Sequence, residues 1–108
     1  MSAWTDVGKL GDIPVRGARI VRTAQGCIAV FRTLEGQVFA LDDRCPHKGG
    51  PLSEGIVHGQ SVSCPLHNLA VDLASGATAD GTVPTYPAKI DGGRVFLDVG
   101  RSVAPAER

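Results

Sequence analysis

Helical periodicity is missing from this sequence. No stretch keeps apolar residues at three- and four-residue spacing for ten positions or more, so an α-helical domain is not expected. Long apolar runs are missing too, and with them any segment of bilayer-crossing length, so no membrane partner is expected. Charge of one sign is lacking: eleven Lys and Arg balance eleven Asp and Glu, for a formal net charge of zero. A nucleic-acid partner, which would need clustered positive charge, is not expected either. Aromatics are scarce, with one Trp, one Tyr and three Phe, which argues against a base-stacking platform. The cysteines number three, an odd count that does not suit a disulfide framework. The opening residues Met1 to Asp6 have no charged start, apolar stretch or small-residue cleavage site, so a cytoplasmic location is expected.

What the chain does have is glycine and proline, 14 and 7 of them, scattered between short β-branched runs. Arg19–Thr23 and Cys27–Arg32 flank a turn at Gly26. Leu34-Glu35-Gly36 makes a second turn before Gln37–Leu41. Further strands are expected at Ser61–Ser63, Leu69–Leu73, Thr85–Ile90 and Arg94–Val99. Asp91-Gly92-Gly93 joins the last two as a hairpin. A short turn of helix fits near Val7–Leu10 and near Pro51–Glu54. Regularly spaced short strands in 108 residues predict one all-β domain, an antiparallel sandwich or barrel. Its expected extent is residues 4–100, with 101–108 as a polar C-terminal tail.

Residues 44 to 68 break this rhythm with Cys45-Pro46-His47 and Cys64-Pro65-Leu66-His67, sixteen residues apart. Each segment offers one thiolate and one imidazole. Two sulfurs and two nitrogens fit either a tetrahedral zinc ion or a [2Fe–2S] cluster in which two His replace two Cys on one iron. Zinc sites more often place two Cys on one knuckle and two His on another. A two-iron cluster needs each loop to reach both irons, which one Cys and one His per loop provides. Pro46 and Pro65 stiffen the loops and remove N–H donors. Gly49 and Gly50 let backbone N–H groups approach sulfur.

Other residues invite plainer readings. Cys27, in an apolar run, is expected to be a buried structural thiol. His58 is expected to be exposed, in a turn. Asp42, Asp43 and Arg44 precede the first loop and either fix its geometry or simply face water. Lys48 is either a docking charge or a solvated lysine.

At the Cys and His segments the chain resembles the Rieske [2Fe–2S] family, and within it the small subunit of assimilatory NAD(P)H-dependent nitrite reductase. The wider string runs from Cys45-Pro46-His47-Lys48-Gly49-Gly50-Pro51-Leu52 through Ser53-Glu54-Gly55-Ile56-Val57. Cys64-Pro65-Leu66-His67-Asn68 and Asp72-Leu73-Ala74-Ser75-Gly76 follow. The Lys-Gly-Gly-Pro-Leu stretch and the His-Asn pair resemble this branch more than the ferredoxins of ring-hydroxylating dioxygenases. Trp4, Asp12-Ile13-Pro14 and Arg19-Ile20-Val21 are similar to it as well. The departure is Leu69, where the branch has an aromatic.

The resemblance implies a Rieske-type antiparallel β-sandwich with a two-loop cluster-binding subdomain, its loops near residues 44–52 and 64–68. It implies a [2Fe–2S] cofactor held by Cys45, His47, Cys64 and His67, with no catalytic acid, base or nucleophile in the chain. The implied function is electron transfer as the small subunit of a nitrite reductase that makes ammonia in nitrate assimilation. Its implied partner is a large subunit carrying FAD, sirohaem and [4Fe–4S]. The alternatives are a free-standing Rieske ferredoxin serving an oxygenase, and a subunit whose metal only holds the fold. The resemblance also makes Gly81–Pro87 a candidate third loop over the cluster, against an ordinary edge turn. High-potential members carry two extra cysteines, at positions matching Gly50 and Leu66. They also carry hydroxyl donors at positions matching Leu69 and Val71. This chain has neither feature.

Overall fold

The computed structural model describes residues 4–23, 26–44, 51–64, 69–79 and 81–98. They form twelve short strands and two 3-10 turns, with every strand pairing antiparallel. The strands are β1 (Trp4–Lys9), β2 (Ala18–Thr23), β3 (Gly26–Arg32), β4 (Val38–Asp42), β5 (Ile56–His58) and β6 (Ser61–Ser63). They continue as β7 (Ala70–Asp72), β8 (Ala77–Thr78), β9 (Gly81–Thr82), β10 (Thr85–Tyr86), β11 (Ala88–Asp91) and β12 (Arg94–Asp98). The 3-10 turns are Leu10–Asp12 and Leu52–Glu54.

A central four-stranded sheet, in the order β10-β4-β3-β2, organises the molecule. Its middle strands explain the apolar run from Ile28 to Phe31, which does not alternate as a one-faced strand would. Ala29, Phe31 and Leu41 enter one core with Leu52, Val57, Val62, Cys64, Val71, Leu73 and Val83. Ile28, Val30 and Ala40 enter a second core with Ile13, Val95 and Leu97. The central sheet is therefore covered on both faces. On one lies the three-stranded sheet β1-β12-β11, completing the sandwich; on the other lies the small sheet β5-β6-β7. All-β antiparallel architecture with a separate small subdomain is what the sequence pattern and the resemblance led us to expect.

The differences in detail have local causes. The run expected as one strand from Thr85 to Ile90 is two, because Pro87 has no N–H to give a ladder. β10 pairs with β4, and after Pro87 the chain crosses to pair as β11 with β12. β1 gave no alternation to read: its residues are exposed or half-buried, and a bulge between Asp6 and Gly8 shifts its register. It takes up Val7 to Lys9, leaving the first 3-10 turn to begin at Leu10. The hairpin at Gly92-Gly93 is present, with both glycines at positive φ (61° and 79°), as a two-residue turn between Asp91 and Arg94 demands.

Candidate functional site

The small sheet holds the base of the second loop. β6 pairs with β7 so that Ser63 faces Ala70, and the Cys64 N–H donates to the Leu69 carbonyl at 2.8 Å. The loop thus springs from Cys64 and Leu69. Cys64 is fully buried, packed into the core shared with the central sheet. Leu69 is half-buried against the same core, so this aliphatic residue fills the place of the expected aromatic by packing alone.

The first loop leaves β4 through Asp42, Asp43 and Arg44 and returns through Pro51 into the 3-10 turn at Leu52. Its base is tied on three sides. The Asp43 N–H donates to the Cys27 carbonyl at 3.0 Å, and the Asp42 N–H to the Pro84 carbonyl at 3.0 Å. Across the loop, the Asp43 carboxylate accepts from the Ser53 N–H at 2.7 Å and from the Ser53 hydroxyl at 2.9 Å. Asp42 and Asp43 are therefore fixed structural groups and not merely solvated charges. Arg44 is exposed, its N–H donating to the Asp42 carbonyl at 2.8 Å.

The two bases meet through β5 and β6. Gly55, leaving the first loop's turn, lies against Ser63, entering the second. A Cβ on Gly55 would sit 2.1 Å from the Ser63 carbonyl oxygen. Ile56 then pairs with Ser63, Val57 with Val62 and His58 with Ser61. Gly76 plays a similar part nearby, where a Cβ would fall 2.0 Å from the Val83 carbonyl oxygen. The Val83 N–H donates back to the Gly76 carbonyl at 2.8 Å. This places the 81–87 segment at the edge of the central sheet, beside the first loop's base. Tyr86 reinforces that place by donating its hydroxyl to Asp42 Oδ1 at 2.6 Å.

Of the four expected ligands, Cys64 is among the described residues, while Cys45, His47 and His67 lie outside them. Lys48, the prolines at 46 and 65, the glycines at 49 and 50, and the tail at 101–108 lie outside them as well. Among the described residues no group of three or more His, Cys, Asp or Glu side chains could hold a metal. His58 is exposed at the end of β5, as expected, with Nε2 2.7 Å from the Ser63 hydroxyl.

Cys27 corrects an expectation. It is exposed, not buried. It sits on the second rung of β3, opposite Arg22 and beside the β2–β3 turn, where neither covering layer reaches; burial begins at Ile28.

A cavity of about 460 Å³ lined by Arg16, Leu34, Glu35, His58 and Gln60 opens at the turn end of the β5–β6 hairpin, away from Cys64. Cys64 and the clasped base of the first loop lie toward the other end of that hairpin. There a fully buried sulfur roots one loop and a tightly clasped base roots the other. A thiolate in such an apolar setting is costly unless a cation or metal shares its charge. The Cys-x-His and Cys-x-x-His donor set, on two bases held in fixed register, fits a cluster spanning both loops.

Comparison with known proteins agrees. Residues 3–89 match the Rieske [2Fe-2S] domain. The ferredoxin component of a naphthalene 1,2-dioxygenase system from Pseudomonas aeruginosa is 33% identical over 100 residues, covering 89% of this chain and 95% of that protein. The ferredoxin subunit of anthranilate 1,2-dioxygenase from Burkholderia cepacia is 35% identical over 104 residues, covering 93% and 95%. Among solved structures, a candidate small subunit of NADH-dependent nitrite reductase from Mycobacterium tuberculosis superposes with a TM-score of 0.80 at 27% identity, covering 90% of this chain and 95% of that one. On its sequence, its fold and the anchoring of its two loops, the chain belongs to the Rieske [2Fe–2S] family, an electron-transfer domain of oxidoreductase systems carrying a Rieske-type cluster.

Proposed function

We propose that Cys45 and Cys64 bind one iron of the cluster as thiolates and that His47 and His67 bind the other. We propose further that the chain is the Rieske subunit of an NAD(P)H-dependent nitrite reductase. Its partner in this reading is a larger cytoplasmic subunit with FAD, sirohaem and [4Fe–4S], which carries the reduction of nitrite to ammonia. When bound, the cluster supplies a one-electron carrier. The chain's own residues hold that carrier in place. Cys64 anchors it to a buried core, and the paired bases fix where the two loops begin and end. A rigid, water-poor mount of this kind limits rearrangement when an electron arrives.

The observation that carries the partner assignment is the stretch from Lys48 to Leu52 with the His67-Asn68 pair, which resembles the nitrite reductase branch. The similarity in fold to the mycobacterial nitrite reductase subunit supports it. A second reading has its own support: the dioxygenase ferredoxins at 33% and 35% identity favour a free-standing ferredoxin that serves a ring-hydroxylating oxygenase. The two readings share the cluster and differ in the partner. Affinity capture of this chain from its native cells, followed by cofactor analysis of what comes with it, decides between them. A large flavin and sirohaem protein is expected. Capture of a Rieske non-haem iron oxygenase instead establishes the second reading.

A further inference from the structure

Two hydrogen bonds from one side chain close the first loop. Asp43 is itself held from behind by the Cys27 carbonyl, and its neighbour Asp42 is held by Pro84 and Tyr86. Asp43 is thus a fixed post on the central sheet. From it both carboxylate oxygens reach across the loop to Ser53, at 2.7 and 2.9 Å. Ser53 follows the fully buried Leu52 and precedes the Gly55 that abuts Ser63. Whatever fixes Ser53 therefore fixes the first loop's exit against the entry of the second.

We propose that Asp43 is a positioning residue for the cluster, acting through Ser53 to set how the Cys45–His47 loop faces the Cys64–His67 loop. The inference rests on the reading that these two loops hold the cluster. Its logic is geometric. The carboxylate bridges ten residues of chain, from 43 to 53, and closes a loop whose far side must meet metal at a fixed distance. Residues outside the metal's own shell commonly govern metal retention in this way. Charge is secondary here. An asparagine at 43 can accept from the Ser53 N–H with its carbonyl oxygen and donate to the Ser53 hydroxyl with its amide, which keeps both bonds without the charge.

The test uses the holoprotein purified without oxygen. Wild type, Asp43→Ala, Asp43→Asn and Ser53→Ala are compared for the rate of iron loss to a chelator, the EPR spectrum of the reduced cluster, and the midpoint potential. Asp43→Ala is expected to lose iron about 10- to 100-fold faster than wild type, with a broadened EPR spectrum. Ser53→Ala, which keeps the backbone bond, is expected to fall between. Asp43→Asn is expected to match wild type in iron retention and EPR line shape. Wild-type retention and spectrum in Asp43→Ala overturn the proposal. Loss in Asp43→Asn as fast as in Asp43→Ala also overturns it, because charge and not the clasp is then responsible. If Asp43→Ala does not accumulate as folded protein, Ser53→Ala decides by the same measure: faster loss supports the proposal and wild-type loss overturns it. A Cys45→Ala control separates the two levels. If that variant keeps its cluster, the ligand reading itself fails; if it loses the cluster while Asp43→Ala does not, only the positioning role fails.

Discussion

Cys64 and Cys27 show how two thiols in one small domain come to differ. Cys64 directly follows a three-residue strand whose middle residue, Val62, is buried in the core, and two residues on from Val62 it is buried in the same core. Cys27 lies on a rung that projects past both covering layers. Replacing Cys64 with Ser is expected to abolish cluster assembly and to lower thermal stability, since metal binding and folding are linked. Cys27→Ala is expected to keep full iron and sulfide and to change stability by less than about 0.5 kcal/mol, the range of surface substitutions. Iron and sulfide analysis with calorimetry checks both; a full cluster in Cys64→Ala contradicts the ligand assignment. Asp6 makes a different kind of prediction. The Arg94 guanidinium, 2.6 Å away, and then the Gly8 N–H hold its carboxyl below the ordinary value of 3.8. A carboxylate with a lowered folded-state pKa stabilises fully above its unfolded pKa and loses that contribution as pH falls through the folded value. The pair is solvent-exposed, so the effect is small and screened by salt. Asp6→Asn is expected to leave stability at neutral pH nearly unchanged and to flatten the acid limb below about pH 4, the carboxylate range. Urea unfolding at several pH values measures it.

The short elements of the small subdomain have little stability of their own, and their mutual contacts hold them. β5 and β6 are three residues each, too short to persist as an isolated hairpin. They persist because Val57, Val62 and Val71 are buried against Phe31 and Leu41 of the central sheet. Gly55 is where this arrangement leaves no room. An alanine methyl there would strike the Ser63 carbonyl and crowd Val62, whose Cγ2 lies 2.9 Å from the ideal Cβ position. Gly55→Ala is expected to cost about 1–3 kcal/mol, the usual range for overpacking, and to weaken cluster retention by separating the two loop bases. Gly11→Ala is the matched control. Nothing lies within 4 Å of its Cβ position, so its effect is expected to be slight. Thermal melts and iron retention of the two variants test the contrast. Equal behaviour would show that the Gly55 contact does not couple the loops.

The reduction potential depends on the whole molecular environment of the cluster. Rieske centres span roughly −150 to +300 mV, and hydrogen-bond donors to the cluster raise the value by stabilising the added charge. At the two positions where high-potential members place hydroxyls, this chain has Leu69, half-buried, and Val71, fully buried, neither with a side-chain donor. The positions of the extra cysteines hold Gly50 and Leu66, so no bridge crosses the loops. A midpoint near the low end, roughly −150 to −50 mV within that span, is expected, with little dependence on pH around neutrality. Protein-film voltammetry gives both numbers. A midpoint above about +100 mV on the same scale contradicts the argument.

The Cys-x-His and Cys-x-x-His segments stand out in the sequence alone, because metal chemistry constrains residue type and spacing directly. Cys-x-His and Cys-x-x-His mean much the same in any all-β setting. The β3 and β4 strands and the Gly92-Gly93 turn were legible for a similar reason: β-branched runs and paired glycines act locally. The Asp43–Ser53 clasp was not, since nothing in a separation of ten residues marks an aspartate and a serine as partners. Gly55 looked like one glycine among 14 until the Ser63 carbonyl was placed beside it. Cys27 was misread because an apolar run specifies a strand without saying where its cover ends. Pattern and spacing report which groups a chain offers. Burial, close approach and long-range hydrogen bonds depend on which strands are stacked on which, and that is settled when the small subdomain docks on one face of the central sheet and the outer sheet on the other.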